Sequence, residues 1–241
     1  MKRIIVIIPA FNEADAIGQV IGDIPSDLVT EVVVVNNAST DTTEINASNA
    51  GATVLYESKR GYGYACLRGL AYTASRNPDI IVFLDGDYSD HPNEMSDLVA
   101  PIVAGTHDFV IGSRIKGISE KGAMLPQARW GNRLACFLMR WIWGVQYSDL
   151  GPFRAIRATS LSRLDMRDTT YGWTIEMQIK ARLADLRITE NPVSYRKRVG
   201  VSKITGTLAG TVKASIKILG TIFRFTLISG HLRRKLSAHK D

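Results

Sequence analysis

Only two cysteines, Cys66 and Cys136, occur in 241 residues, so a disulfide framework is excluded. A chain of this length buries roughly 70–75% of its surface on folding and needs neither disulfides nor a structural metal to hold a core. Both thiols are therefore expected to be free and buried, in a reducing compartment. A long apolar run is missing from the N-terminus: Lys2 and Arg3 precede only Ile4 to Ile8 before Pro9, and no small-residue cleavage site follows. The segment reads as a first strand and not as a signal peptide. Two Asn-x-Ser sequons, at Asn37 and Asn46, have meaning only in a secreted chain and carry no weight here. The four histidines show no metal-ligand spacing. There is no Walker loop, HExxH or GxSxG, and Gly61-Tyr-Gly63 lacks the third glycine of a dinucleotide fingerprint. Internal repeats and low-complexity linkers are absent as well.

What is present is an ordinary globular composition, 45% hydrophobic and 22% charged, with a net charge of +7. The excess is unevenly placed. Residues 1–180 hold 17 Lys and Arg against 20 Asp and Glu, whereas residues 181–241 hold 13 against 3. A basic quarter on a nearly neutral body suits nucleic acid, anionic lipid or a phosphorylated substrate. Nucleic acid is disfavoured, because that quarter lacks interleaved aromatics and any recognised binding motif.

Short β-branched runs at Ile4–Ile8, Glu31–Val35, Thr53–Tyr56, Ile80–Leu84 and Phe109–Ile111 alternate with helical stretches at 13–22, 41–50, 62–76 and 92–104. This alternation predicts an α/β fold with a mostly parallel, Rossmann-like sheet covered by helices on both faces. Asp90 is placed to cap the fourth helix. The second half predicts helices over 127–141 and 173–183, a Gly-Pro-Phe turn at 151–153 and a strand over 187–194. The tryptophans at 130, 141, 143 and 173 read as core or sugar-edge packing.

Ligands of open parallel sheets bind beyond the carboxyl ends of the strands. The residues there are Pro9 to Glu13, Asn36 to Asp41, Glu57 to Gly63, Asp85-Gly86-Asp87 and Gly112-Ser113-Arg114, all small, polar or charged. Asp85 and Asp87, flanking a glycine directly after an apolar strand, can offer oxygens to one divalent cation whose other positions are filled by water and diphosphate.

Ile8-Pro-Ala-Phe-Asn-Glu13, Val34-Val-Asn-Asn-Ala-Ser-Thr-Asp41, Arg60-Gly-Tyr-Gly-Tyr-Ala65 and Asp85-Gly-Asp87 together resemble family 2 glycosyltransferases with the glycosyltransferase A fold. Gly112-Ser-Arg114, Asp149 to Arg154, Glu176 and Arg198-Val-Gly-Val-Ser-Lys203 are similar to the polyprenyl-phosphate (dolichyl-phosphate) mannosyl and glucosyl synthases of that family. The resemblance covers residues 2–205. It implies a nucleotide-sugar site made by Pro9, Ala10, Asn12, Glu13, Asn36, Arg60, Gly61, Asp85 and Gly86, with Mg²⁺ or Mn²⁺ on Asp85 and Asp87. It further implies that Arg114, Arg129, Arg133, Arg198, Ser202 and Lys203 contact the acceptor phosphate. Arginine suits that task because its planar fork grips phosphate oxygens in two bonds. Where the family usually has an acidic residue after the second strand, this chain has Asn36-Asn37, which leaves uracil and guanine both open as the donor base. Asp149 and Glu176, together with Asp87, are the carboxylates expected to take part in catalysis, Glu176 as the foremost base.

From Ile204 the pattern predicts one long apolar helix, or a pair broken near Gly220. At 100° per residue Leu208, Val212, Ile216, Leu219, Ile222 and Phe223 share one face, with Lys213, Lys217 and Arg224 beside it. Cations so near the centre disfavour spanning a bilayer and favour an interfacial helix, and the alternative is packing onto the body or a second subunit. The sequence thus divides into a catalytic domain over 1–205 and a basic amphipathic tail over 206–241. The expected activity is metal-dependent, inverting transfer of a hexose from a nucleotide sugar to a polyprenyl phosphate at the cytoplasmic membrane face. Two alternatives stand beside it, transfer to another lipid or a soluble hydroxyl compound and a noncatalytic nucleotide-sugar or membrane-binding module.

Overall fold

The structure, a computed structural model, describes residues 2–200 and 208–237. Seven strands form one sheet: β1 (Ile4–Ala10), β2 (Glu31–Asn36), β3 (Thr53–Tyr56), β4 (Ile80–Phe83), β5 (Phe109–Ser113), β6 (Arg154–Arg157) and β7 (Ile188–Pro192), in the order β3-β2-β1-β4-β6-β5-β7. The pairs β1 with β2, β1 with β4, β2 with β3 and β5 with β7 are parallel, whereas β6 lies antiparallel between β4 and β5. The helices are α1 (Ile17–Gly22), α2 (Thr43–Asn49), α3 (Tyr62–Thr73), α4 (Met95–Val103), α5 (Pro126–Trp143), α6 (Ala158–Leu164), α7 (Trp173–Leu183) and α8 (Leu208–Ser237).

Every residue of β1 is buried, which is why it is apolar throughout instead of alternating. Its pleat still sorts the side chains. Ile4, Val6 and Ile8 enter a core with residues of α1, α2 and α4, while Ile5 and Ile7 enter the opposite core with α3, α5, α6, α7 and α8. Gly69 of α3 lets that helix lie close on β1, since a Cβ there would come 2.6 Å from Ile7 Cγ2.

Three features depart from the sequence expectations. The strand β6 and helix α6 were not predicted. Arg-Ala-Ile-Arg is too short for a visible period, and β6 exists because it pairs on both sides. Arg154 in it is wholly buried, with its guanidinium donating to the carbonyls of Leu150, Gly151 and Thr174. Second, Asp90 makes no capping bond: a single turn at Pro92–Glu94 precedes α4, and both Asp90 carboxylate oxygens are buried without a partner. Third, Trp130 and Trp141 project into solvent, whereas Trp173 packs in the core as expected, edge-on to Phe83 at 5.9 Å. Of the two forms expected for the C-terminal segment, α8 is the single helix, unbroken through Gly220, because one interior glycine costs only about 1 kcal/mol.

Asp108 joins the starts of β5 and β7 to the end of β6. Its carboxylate accepts from the Arg187 backbone N–H and guanidinium and from Arg157 Nε. These bonds, those to Arg187 foremost, hold its pKa at about 2, below the ordinary 3.8. A depressed carboxylate stabilises the fold while ionised, so this contribution is full above pH 3.8 and is lost as pH falls towards 2. Asp108→Asn is therefore expected to lower the melting temperature at neutral pH and to weaken the part of the acid-unfolding profile that lies in that window. Melting curves across pH test this.

Candidate active site

The carboxyl ends of β1, β2 and β4 surround a cavity of about 360 Å³. Pro9, Ala10 and Glu13 line it from β1 and the following turn, Arg60, Gly61 and Tyr62 from the entry to α3, and Asp85, Gly86 and Asp87 from the turn after β4. Thr170 and Tyr171 close it from the loop before α7, and Arg198 reaches in from the segment after β7. Close backbone approach explains two glycines. A Cβ at Gly61 or Gly63 would overlap the carbonyls of Thr169 or Asp168, so the start of α3 can abut the 168–171 loop only without side chains. Three non-glycine residues with left-handed backbone, Asn12, Ala38 and Tyr88, sit in the turns after β1, β2 and β4. Such conformations cost on the order of 1–3 kcal/mol each and persist where neighbouring contacts over-determine them.

Two residues expected in the donor site take other places. Asn12 holds the adjacent turn, its Oδ1 accepting from Thr40 N at 2.8 Å. Asn36 bonds Glu44 through Nδ2 and Ser39 N through Oδ1. It is the neighbour, Asn37, that lines the cavity, its Oδ1 accepting from Gly61 N at 2.8 Å and its Nδ2 donating to the carbonyls of Glu57 and Lys59. Phe11, Tyr62, Thr170 and Tyr171 also line the cavity without having been singled out. The aromatic residues beside the Pro-Ala and Gly-x-Gly motifs were the available signal for Phe11, with Arg60 stacked 4.2 Å from its ring, and for Tyr62. Nothing local marks Thr170 and Tyr171.

Asp85 is half-buried, with its Oδ1 buried and unpartnered, and desolvation of the carboxylate, reinforced by the negative charge of Asp87, raises its pKa to about 7. Asp87 Oδ1 accepts from the backbone and hydroxyl of Ser89, and Oδ2 meets Arg198 Nη1 at 3.1 Å. Arg198 Nη2 lies 3.1 Å from Glu13 Oε1. The pattern of orphaned and guanidinium-paired oxygens fits a cation. Among the described residues no cluster of three His, Cys, Asp or Glu side chains closes on one point, so the protein offers a carboxylate pair and leaves the other positions to substrate and water, as Mg²⁺ and Mn²⁺ sites on diphosphates require. Asp90 adds a third buried carboxylate, pushed well above its usual range by burial first and then by Asp85.

The residues expected to meet the acceptor begin with Arg114, after β5. Its backbone N–H and Nε both donate to Asp149 Oδ2 at 2.8 Å, and its Nη2 donates to Oδ1 at 2.7 Å. Asp149 is wholly buried and both of its oxygens are engaged, which makes it the anchor of Arg114 and not a free base. Glu176 is similarly committed. Its oxygens accept from the backbone N–H groups of Arg167 and Asp168 and pair with Lys180 Nζ at 2.7 Å. It holds the 165–172 loop that lines the donor cavity, and does not line the cavity itself. Arg129 and Arg133, one turn apart on α5, border a second cavity of about 880 Å³ whose wall includes Met124, Pro126, Trp130 and Tyr147. The segment 195–199 runs between the two regions: Tyr195 faces Arg114 at 5.0 Å, Arg196 N donates to Ser89 O, and Val199 N donates to Asp87 O. Ser202 and Lys203 lie outside the described residues.

Comparison with known proteins places this geometry. The profile of Glycosyl transferase family 2 matches residues 5–164. An undecaprenyl-phosphate mannosyltransferase of Micrococcus luteus is 29% identical over 92% of this chain and 96% of its own, and a dolichyl-phosphate hexose transferase of Haloferax volcanii is 31% identical over 88% and 92%. Among solved structures, glucosyl-3-phosphoglycerate synthase from Mycobacterium tuberculosis in complex with Mn²⁺, UDP-glucose and phosphoglyceric acid superposes with a TM-score of 0.75. It shares 26% identity and covers 93% of this chain and 80% of its own.

Because the Arg198 guanidinium occupies Asp87, one of the two carboxylates a cation would use, Arg198→Gln is expected to tighten Mn²⁺ binding in the absence of nucleotide by roughly tenfold, the scale of one charged hydrogen bond. Calorimetric titration of both proteins with MnCl₂ tests this, and equal or weaker binding by the variant contradicts it.

Proposed function

The chain belongs to glycosyl transferase family 2, and from that premise we propose that it is an inverting, metal-dependent hexosyltransferase acting from a nucleotide sugar onto a polyprenyl phosphate at the cytoplasmic membrane face. In this reading Pro9, Ala10, Glu13, Asn37, Arg60, Gly61 and Gly86 surround the nucleotide sugar, and Asp85 and Asp87 hold Mg²⁺ or Mn²⁺. A cation held there would supply stabilisation of the charge that grows on the leaving nucleoside diphosphate, without needing a proton. The orphaned Asp85 oxygen and the complexes of the structural relative with Mn²⁺ and UDP-glucose support this assignment.

The observation that carries the acceptor class is that Asp149 and Glu176 are both fully engaged, by Arg114 and by the 165–172 loop with Lys180. An alcohol acceptor needs a base to remove its proton, whereas a phosphate is already ionised at neutral pH. A phosphate oxygen then attacks the anomeric carbon from the face opposite the diphosphate, whose C–O bond breaks with its electron pair, and the configuration inverts. Arg114, locked in orientation by Asp149, and the Arg129–Arg133 pair hold that phosphate. The apolar wall of the 880 Å³ cavity suits the lipid chain behind it, and two relatives named for polyprenyl-phosphate substrates support the same class. A soluble phosphorylated acceptor is the second reading, favoured by the likeness to glucosyl-3-phosphoglycerate synthase.

Incubation with radiolabelled UDP- and GDP-hexoses, Mn²⁺ and either polyprenyl phosphate or phosphoglycerate separates the two. Label is expected in the organic phase, and an exclusively water-soluble product overturns the lipid reading. Asp87→Ala is expected to lower kcat by at least about 10², the scale of losing transition-state charge stabilisation. Arg129→Ala is expected chiefly to raise the acceptor KM, by about tenfold or more, with the donor KM unchanged.

A further inference from the structure

The helices α5 and α8 pack against one another on the same side of the sheet, and each carries two opposite apolar strips. On α5 the inner strip is Ala135, Cys136 and Met139; on α8 it is Ala214, Ile222 and Phe225. About half a turn away, α5 exposes Trp130, Leu134, Phe137 and Trp141, spaced by three to four residues, and α8 exposes Ile216, Leu219, Phe223 and Leu227 at the same spacing. Trp141 is 79% exposed and Leu227 71%. Eight large apolar side chains directed away from the core on adjoining helices exceed the scatter of single surface hydrophobes found on any soluble domain.

We propose that this two-helix face is a docking surface for an anionic lipid bilayer, with α5 contributing as much as the C-terminal helix. The proposal rests on the membrane-face reading above and deepens it by naming the surface and its partner. Charge decides the occupant. Arg129, Arg133 and Arg140 are exposed in a row beside the apolar strip of α5, and Lys213 and Arg224 are exposed beside that of α8. Neither the 18 residues of α5 nor the 30 of α8 include a single Asp or Glu. A second copy meeting this face would set cations against cations, whereas anionic headgroups complement them while the acyl boundary takes the apolar strips. Tryptophan at such a boundary has its ring in the apolar layer and its N–H among headgroups. No described helix is long and apolar enough to cross a membrane, so the face lies along the bilayer. Trp130 belongs both to the exposed strip and to the wall of the 880 Å³ cavity, so that cavity meets the bilayer where a lipid-borne phosphate arrives.

Two further contacts tie α8 to the loop beside the 360 Å³ cavity. Lys217 of α8 pairs with Asp168 at 2.8 Å, and Lys235 lies 3.5 Å from Asp165, both carboxylates in the stretch that leads to Thr170 and Tyr171.

The test is co-sedimentation of the full chain with phosphatidylglycerol or phosphatidylcholine vesicles, without donor or acceptor. Wild-type protein is expected to bind the anionic vesicles, less strongly as salt increases. Phe137→Ser with Trp141→Ser, and separately Phe223→Ser with Leu227→Ser, are each expected to weaken partitioning by about tenfold or more. Unchanged thermal protection by nucleotide identifies a variant whose fold and donor pocket are intact. Brominated lipids provide a second readout that spares the fold, quenching wild-type tryptophan fluorescence more than that of Trp141→Phe. Vesicle binding that survives the α5 substitutions, quenching equal in the two proteins, or a concentration-dependent dimer that both pairs dissolve would each overturn the proposal. Failure here is separable from failure of the acceptor reading. An enzyme that makes lipid-linked product in detergent yet ignores vesicles refutes only the docking surface, and one that binds vesicles yet yields only soluble product refutes only the acceptor.

Discussion

Two neighbouring carboxylates at the end of β4, Asp87 buried and Asp85 with one buried oxygen, are the constraint on which the rest of the site depends. Removing an ionised carboxylate from water costs several kcal/mol unless a positive group compensates it, and Asp85 with Asp87 doubles the demand. The protein answers from a distant part of the chain. Arg198 supplies the charge, while Arg196 and Val199 tie the same segment by backbone bonds to Ser89 and Asp87. The segment after β7 is therefore drawn over the turn after β4, and through Tyr195 it also reaches Arg114. One electrostatic requirement thus joins the turn after β4 to Arg114 after β5.

The remaining ionic contacts follow a common pattern in which carboxylates position other groups. Asp149 orients Arg114, Glu176 anchors the 165–172 loop, and Asp108 fastens three strand ends. In each case partner cations or amides occupy both oxygens. On the reading proposed above, a site so arranged works by orientation and charge stabilisation. The antiparallel insertion of β6 matters in the same way. It places the buried Arg154 beneath the turn that contains Asp149 and Gly151, and the guanidinium satisfies carbonyls of that turn that would otherwise be buried unpaired.

The two outer helices resolve the charge asymmetry of the chain into surfaces. α8 is neither a free tail nor a fully packed helix. One strip of it completes the core, with Ile222 buried there although the helical period grouped it with Ile216 and Phe223, and the opposite strip remains outside. α5 follows the same plan, which explains how Trp130 and Trp141 come to be exposed in a chain with an otherwise ordinary core.

Much of the chain was legible without coordinates. The β-branched runs, the turn motifs after them and Asp85-Gly-Asp87 predicted the parallel half of the sheet and several of the loops that line the cavity at its carboxyl ends, because buried parallel strands are written locally as continuous apolar runs. The basic C-terminal quarter was visible in the same way. Tertiary structure alone decided the rest. Whether Asn36 or Asn37 faces the cavity depends on the phase of the pleat, and a one-residue change in phase reverses it. Whether Asp149 and Glu176 are bases or anchors depends on partners 35 residues away in one case and within a folded loop in the other. β6 has no signal of its own because its neighbours on both sides make it a strand. Amphipathic period reveals that a helix has faces, but which face meets the core is settled only by the helices and sheet that pack against it.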